Sequence, residues 1–256
     1  MNRALKAWFW MLDYAYTVTD ELRAALEHPA PFESAAGAGA AERSAAVGER
    51  VAAADDGSAS TTTPNPVGRP VLLLPGVFET WVNLRAVGDE VRRLGHPVHV
   101  VPGLGRNVVG IDASARRIEE YLARNDLVGV VIVAHSKGGL VGKYLMLRLD
   151  PEHRIDGMVA INAPFSGSQW GDYLPLPSLR ALARDDLIVR FLGGPSEVNG
   201  RIVSVYSTFD QNVRAGSRLA GARNVRLNVA GHSRILGSKK LLRVLPEFFS
   251  WLPPRR

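Results

Sequence analysis

Val-Val-Ile-Val-Ala-His-Ser-Lys-Gly-Gly, residues 130–139, runs from an unbroken apolar stretch into a polar turn and then into small residues. A short, β-branched run without polar alternation is the pattern of a strand buried on both faces, as in a parallel sheet. After it Leu140, Val141, Tyr144, Leu145 and Leu149 recur at helical spacing. Ser136 therefore stands on a sharp strand-to-helix turn, where its backbone is forced into a strained conformation. Its flanks must be small for strand and helix to pass closely, and Ala134 and Gly138 are small. The common form of such a turn is G-x-S-x-G, and here Ala134 takes the first place, one methyl larger. A serine also caps helices unaided, a reading that leaves the residues downstream unexplained.

Outward from this stretch the chain repeats its logic from Pro70 on. Apolar runs at 71–74, 98–101, 129–134, 157–161, 202–206 and 225–229 alternate with helical patterns near 81–94, 112–124, 137–149, 178–192 and 239–251. That alternation predicts an α/β fold, with an about six-stranded, mostly parallel sheet and helices on both faces. With 46% hydrophobic and 22% charged residues over 256 positions, the chain can fill one sizeable core, which sets the expectation of a single catalytic domain over 70–256.

The first 69 residues are different. Residues 1–28 hold an amphipathic helix with Leu5, Trp8, Phe9, Leu12 and Tyr16 on one face. That stripe either docks on the catalytic domain or lies in a membrane interface as a peripheral contact. Its apolar run is too short for a signal-peptide core or a spanning helix, and Asp13, Asp20 and Glu21 interrupt it, so the location read from the sequence is cytoplasmic or membrane-peripheral. Residues 29–69, rich in Ala, Gly, Ser, Thr and Pro, read as a disordered linker.

Composition narrows the chemistry. There is no cysteine, hence no thiolate nucleophile and no Cys-ligated metal, and no His/Asp/Glu cluster has metal-ligand spacing. No metal or cofactor is expected. The excess of 31 Lys and Arg over 25 Asp and Glu, +6 in all, favours anionic surfaces non-specifically, but no basic block interleaved with aromatics follows a phosphate backbone. Nucleic acid is not an expected partner. Gly103 and Gly105, after the second apolar run, form a G-x-G without the third glycine of a dinucleotide site.

On the Ser136 turn and the alternation around it, the chain from about 70 to 252 resembles the α/β-hydrolase superfamily, and within it small bacterial lipases and esterases, some of which carry alanine at the first motif position. The resemblance implies a minimal, lipase-like version of the fold without a large cap domain. It also implies a catalytic serine, acid and histidine in that chain order. Of the six histidines only His153 and His232 follow Ser136, and His135, directly before it, is part of the turn itself. His153 stands in the polar turn Asp-Pro-Glu-His-Arg, whereas His232 follows the last strand, where the fold delivers its base. Asp210, after the fifth strand, fits the superfamily's Asp-x-x-Val pattern as the acid.

Backbone N–H groups of Lys137 and of Val77, with Phe78 as the neighbouring possibility, are expected to receive the developing oxyanion. Related lipases carry His-Gly-x where this chain has Pro75-Gly76-Val77. The stretch 161–171 resembles the segment lipases place beside the nucleophile. Phe78, Phe165, Trp170, Leu174 and Leu176 are expected to contact the substrate, and the apolar loop Tyr173-Leu174-Pro175-Leu176-Pro177 either walls an acyl pocket or seals the edge of the core. The activity implied is hydrolysis of a small-molecule or lipid ester; acyl transfer, thioester hydrolysis and a non-enzymatic binder on the same fold remain alternatives.

Overall fold

A computed structural model describes residues 68–252 except Pro175, together with Trp8, residues 11–13, 15–19 and Leu22 near the N-terminus. The reading of residues 29–69 as a linker therefore lies outside the described residues except at Gly68 and Arg69. Both of these already belong to the domain. Gly68 N–H donates to Gly95 O at 3.1 Å, and Arg69 pairs with Asp156 at 2.9 Å.

The sheet contains β1 (Val71–Leu74), β2 (Val98–His99), β3 (Val130–His135), β4 (Ile155–Ile161), β5 (Ile202–Phe209) and β6 (Arg223–Ala230). Their order is β2-β1-β3-β4-β5-β6, and every pairing is parallel. Alternate side chains of each central strand fill two separate cores. Leu72, Leu74, Ile132, Met158 and Ala160 point to one face, and Val71, Leu73, Val131, Val133 and Val159 to the other. This is why those runs lack polar alternation: both faces are covered.

The first face packs against α2 (Ile111–Arg124) and α3 (Lys137–Arg148) through Ile118, Leu122, Leu140 and Leu145. The second packs against α1 (Arg85–Arg93) and α7 (Lys239–Ser250) through Val87, Val91, Leu245 and Phe248. Two expected helices differ from their sequence reading. The one expected at 81–94 opens as a 3-10 turn, Trp81–Leu84, before α1. The one at 178–192 is broken into α5 (Pro177–Arg180) and α6 (Leu187–Gly193), because Asp186 caps a fresh start by accepting from Ile188 and Val189 N–H. A short α4 (Gln169–Tyr173) precedes them.

Residues 8, 11–13, 15–19 and 22 are helical and lie against the domain. The face turned inward holds Leu12 and Tyr16 of the expected stripe, but not Trp8. Asp13 is buried and Leu12, Tyr16 and Thr17 are half-buried, whereas Trp8 is 53% exposed, so the docking face is centred on a carboxylate. Leu5 and Phe9 lie outside the described residues.

Candidate active site

Ser136 follows β3 directly, with φ 51° and ψ −122°, in the left-handed region. That geometry is disfavoured for a residue with a Cβ and is held by its surroundings. Ser136 N–H donates to Ile161 O at 2.9 Å, and a Cβ at Gly138 would come within 2.3 Å of Leu74 O. Only glycine lets α3 start this close to β1. Ala134 is fully buried between Leu74 and Ala160 in the sheet register, so its methyl is accommodated.

The ends of β5 and β6 deliver the next two groups. Asp210 Oδ1 accepts N–H of Asn212 at 2.8 Å and of Val213 at 3.0 Å, an Asx turn that fixes its side chain. Its Oδ2 lies 2.7 Å from His232 Nδ1. Burial raises the Asp210 carboxyl, but the imidazole, by charge and hydrogen bond, brings it below the usual carboxylate value. For His232, burial disfavours the charged ring. The Asp210 carboxylate outweighs this, and with help from Glu79 and Asp13 the pKa is pushed up to about 9.

Behind this pair stands a second that sequence reasoning missed. His135 Nδ1 is 2.8 Å from Glu79 Oε2, and the same oxygen accepts Gly76 N–H at 2.7 Å. His135 Nε2 faces the carbonyl of His232 at 3.1 Å, and the two rings are 4.8 Å apart. Burial raises the Glu79 carboxyl, but His135, helped by His232 and the Gly76 N–H, takes it below its usual value. Asn162, at the end of β4, completes the support: its Nδ2 donates to His232 O at 2.8 Å and its Oδ1 accepts Ser207 N–H at 2.9 Å. Glu79 lies three residues past Gly76, in a loop already singled out, but its partner is 56 positions away.

Ser136 and His232 open onto one cavity of about 370 Å³, a size suited to a small ligand. Of the expected wall residues Phe78, Trp170 and Leu174 line it, and Val77, Leu179, Leu182, Asp13 and Thr17 add to its walls. Two expected wall residues are elsewhere. Phe165 is 2% exposed in the core, its ring beside the buried Lys143 ammonium, and Leu176 caps α5 with its side chain turned to solvent. Of the expected wall, Phe165 thus points into the core and Leu176 to solvent, whereas Trp170 and Leu174 reach the cavity. His153 is exposed on the turn before β4.

Of the N–H groups considered for an oxyanion, that of Phe78 is taken by Arg106 O at 2.7 Å. The Val77 N–H has no such partner among the described residues, and Lys137 N–H stands at the open first turn of α3. The glycine-rich loop at 101–107 turns out to be a brace. Asn107 Nδ2 donates to Pro75 O at 2.8 Å, and the buried Lys137 ammonium, its pKa lowered to about 8 by burial, donates to Asn107 O and Val109 O. Among the described residues no group of His, Asp or Glu could hold a metal ion, and no helix is long and apolar enough to cross a membrane.

No protein-family model matches this sequence, and no curated protein matches it. Solved structures do. The mature Bacillus licheniformis lipase BlEst2 superposes with TM-score 0.55 at 14% identity, over 73% of this chain and 94% of the lipase. A predicted CIB-like hydrolase from Thermoplasma acidophilum gives TM-score 0.53 at 18% identity, over 72% and 87%. An extracellular α/β-hydrolase from a Paenibacillus species gives 0.51 at 17%, over 69% and 98%. At such identities the likeness carries the architecture, and with the all-parallel six-stranded order it settles that the chain has the α/β-hydrolase fold.

Proposed function

We propose that this protein is a serine hydrolase that cleaves carboxylic esters through an acyl-enzyme, with Ser136 as nucleophile, His232 as general base and Asp210 as the acid that orients it. The observation that carries this reading is the 2.7 Å contact of Asp210 with His232 at the wall of the cavity that also holds the strained Ser136. Neutral His232 takes the Ser136 proton as Oγ attacks the ester carbonyl. The imidazolium formed is stabilised by Asp210 and then protonates the leaving alcohol. The Val77 and Lys137 N–H groups receive the oxyanion. Water, activated by the same imidazole, releases the acid. Phe78, Trp170, Leu174, Leu179 and Leu182 give the cavity an apolar wall suited to an acyl chain.

The decisive experiment is Ser136→Ala with a short nitrophenyl ester and a fluorophosphonate probe. The parent should turn over the ester and label at Ser136. The variant should stay folded, fail to label, and lose about a thousandfold or more in kcat; retention of a tenth of the activity would mean another nucleophile. Peripheral contact with a lipid surface belongs to the same proposal. Trp8, Met11, Val18 and Leu22 lie at helical spacing and are all more than a third exposed. Co-sedimentation with anionic vesicles that survives Trp8→Ser with Met11→Ser would remove it.

A further inference from the structure

The N-terminal helical residues reach the two loops of the site through one side chain. Asp13 is 3% exposed although it lies in a segment read as separate from the domain. Its Oδ1 accepts the backbone N–H of Ser233 and of Arg234, each at 2.9 Å, and its Oδ2 accepts from the side-chain amide of Gln211. Ser233 and Arg234 follow His232 directly, and Gln211 follows Asp210. One carboxylate therefore bridges the loop that carries the base and the loop that carries its acid.

Two glycines on the domain side fit this contact. A Cβ at Gly231, φ 114°, would meet Asp13 Oδ1 at 2.6 Å, and one at Gly237 would meet the Tyr16 hydroxyl at 2.8 Å. Asn162 holds His232 O from the interior while Asp13 holds the following N–H groups from the other side. Without Asp13, the buried Ser233 N–H and the part-buried Arg234 N–H would lose this acceptor, and the turn would gain by rearranging. Asp13 and Thr17 also line the cavity.

We propose that Asp13 is a positioning residue of the active site, holding the His232 and Asp210 loops in register, so that the N-terminal helix is a working part of the hydrolase. This role rests on the Ser136, His232, Asp210 reading. It acts through other groups, since Asp13 touches neither Ser136 nor the His232 ring in any hydrogen bond described. The titratable groups facing His232 are Asp210 on its own side of the cavity, Glu79 and His135 behind it, and Asp13 across the turn.

The test uses the full-length protein and a short nitrophenyl ester. Asp13→Ala should lower kcat about 100-fold, the scale of a catalytic group displaced by about an ångström, with KM changed less than about threefold. Asp13→Asn should recover to within about fivefold of the parent, because its Oδ1 still accepts both N–H groups. Gln211 Oε1, without a partner among the described residues, can turn to receive the new amide. The same variant should move the acid limb of kcat/KM to lower pH, since one carboxylate beside the imidazolium is gone. Gln211→Ala should lose a few-fold, and less in the Asp13→Ala background, as groups sharing one contact do.

Folding is checked by near-ultraviolet circular dichroism. A folded Asp13→Ala within about threefold of the parent overturns the role, and so does Asp13→Asn as impaired as Asp13→Ala. If Asp13→Ala does not fold, additive effects of Asp13→Asn and Gln211→Ala on kcat overturn it instead. A parent that neither turns over ester nor labels with fluorophosphonate overturns the hydrolase reading and this role together, which separates the two failures.

Discussion

Two carboxylate–imidazole pairs stand side by side in this fold, Asp210 with His232 at 2.7 Å and Glu79 with His135 at 2.8 Å. Both are buried, and in both the imidazole brings the carboxyl below its usual value. They differ in where the far nitrogen points. His135 Nε2 faces a backbone carbonyl and His135 is wholly buried, whereas His232 is part of the cavity wall beside Ser136. Pair chemistry alone therefore does not make a base. An imidazole can take and return a proton at a substrate only if one nitrogen is left for it. The Glu79 pair spends both nitrogens on structure, and what it holds is the backbone of the other histidine.

The largest effect is expected at His232. His232→Ala should lower kcat about as far as Ser136→Ala, roughly a thousandfold or more, because members of such a unit act together. His153→Ala is the control, on an exposed turn remote from the cavity, and should leave kcat within about twofold. Ester kinetics on both variants check this; equal activity in the two would leave the Asp210 pair without a catalytic part.

The next effect is on pH. His232, raised to about 9, is charged at neutral pH in the free protein, and a general base must be neutral. kcat/KM should therefore climb nearly tenfold per pH unit through neutrality and level near pH 9. The stability share of the same group has the opposite course. Because its folded pKa is raised, its contribution is complete below its usual value near 6.5 and is lost as pH rises through about 9. Esterase profiles from about pH 6 to about pH 10 decide it; a plateau already reached by about pH 7 would mean that Asp210 does not hold the imidazolium.

The sequence made one of these pairs legible and hid the other. Ser136, Asp210 and His232 each follow a strand, and the strands show as local apolar runs, so the chain order implied by the resemblance singles out all three. Glu79 and His135 are brought together over 56 residues by the parallel pairing of β1 with β3, and nothing local marks them. Asp13 is farther still, 220 residues from Ser233, and on its own helix it looked like an interruption of an apolar stripe. Phe165 was misplaced for the converse reason. Its sequence neighbourhood suggested a pocket, but the loop after β4 turns its ring into the core beside Lys143. Periodicity reports which face is apolar; it does not report which polar groups meet across the sheet.

Among the changes to the two pairs, Glu79→Gln should have the smallest effect on turnover. The amide keeps the length, and its oxygen can accept from Gly76 N–H and His135 as Oε2 does. His232 stays supported by Asn162 at 2.8 Å, so kcat should fall only about two- to fivefold. Stability should fall more. The bonds from Gly76 N–H and from the His135 ring turn from charge-assisted into neutral ones, which costs about 1–2 kcal/mol. The sign with pH is fixed by the Glu79 carboxyl being held below its usual value: its contribution is complete above that value and disappears as pH falls through the lower, folded one. The melting temperatures of parent and variant should thus differ most near neutrality and converge as pH falls below about 4. Thermal melts across that range, with kcat measured on the same samples, make the check. A thousandfold loss of kcat with an unchanged melting temperature would reverse the assignment and put Glu79 in the chemistry.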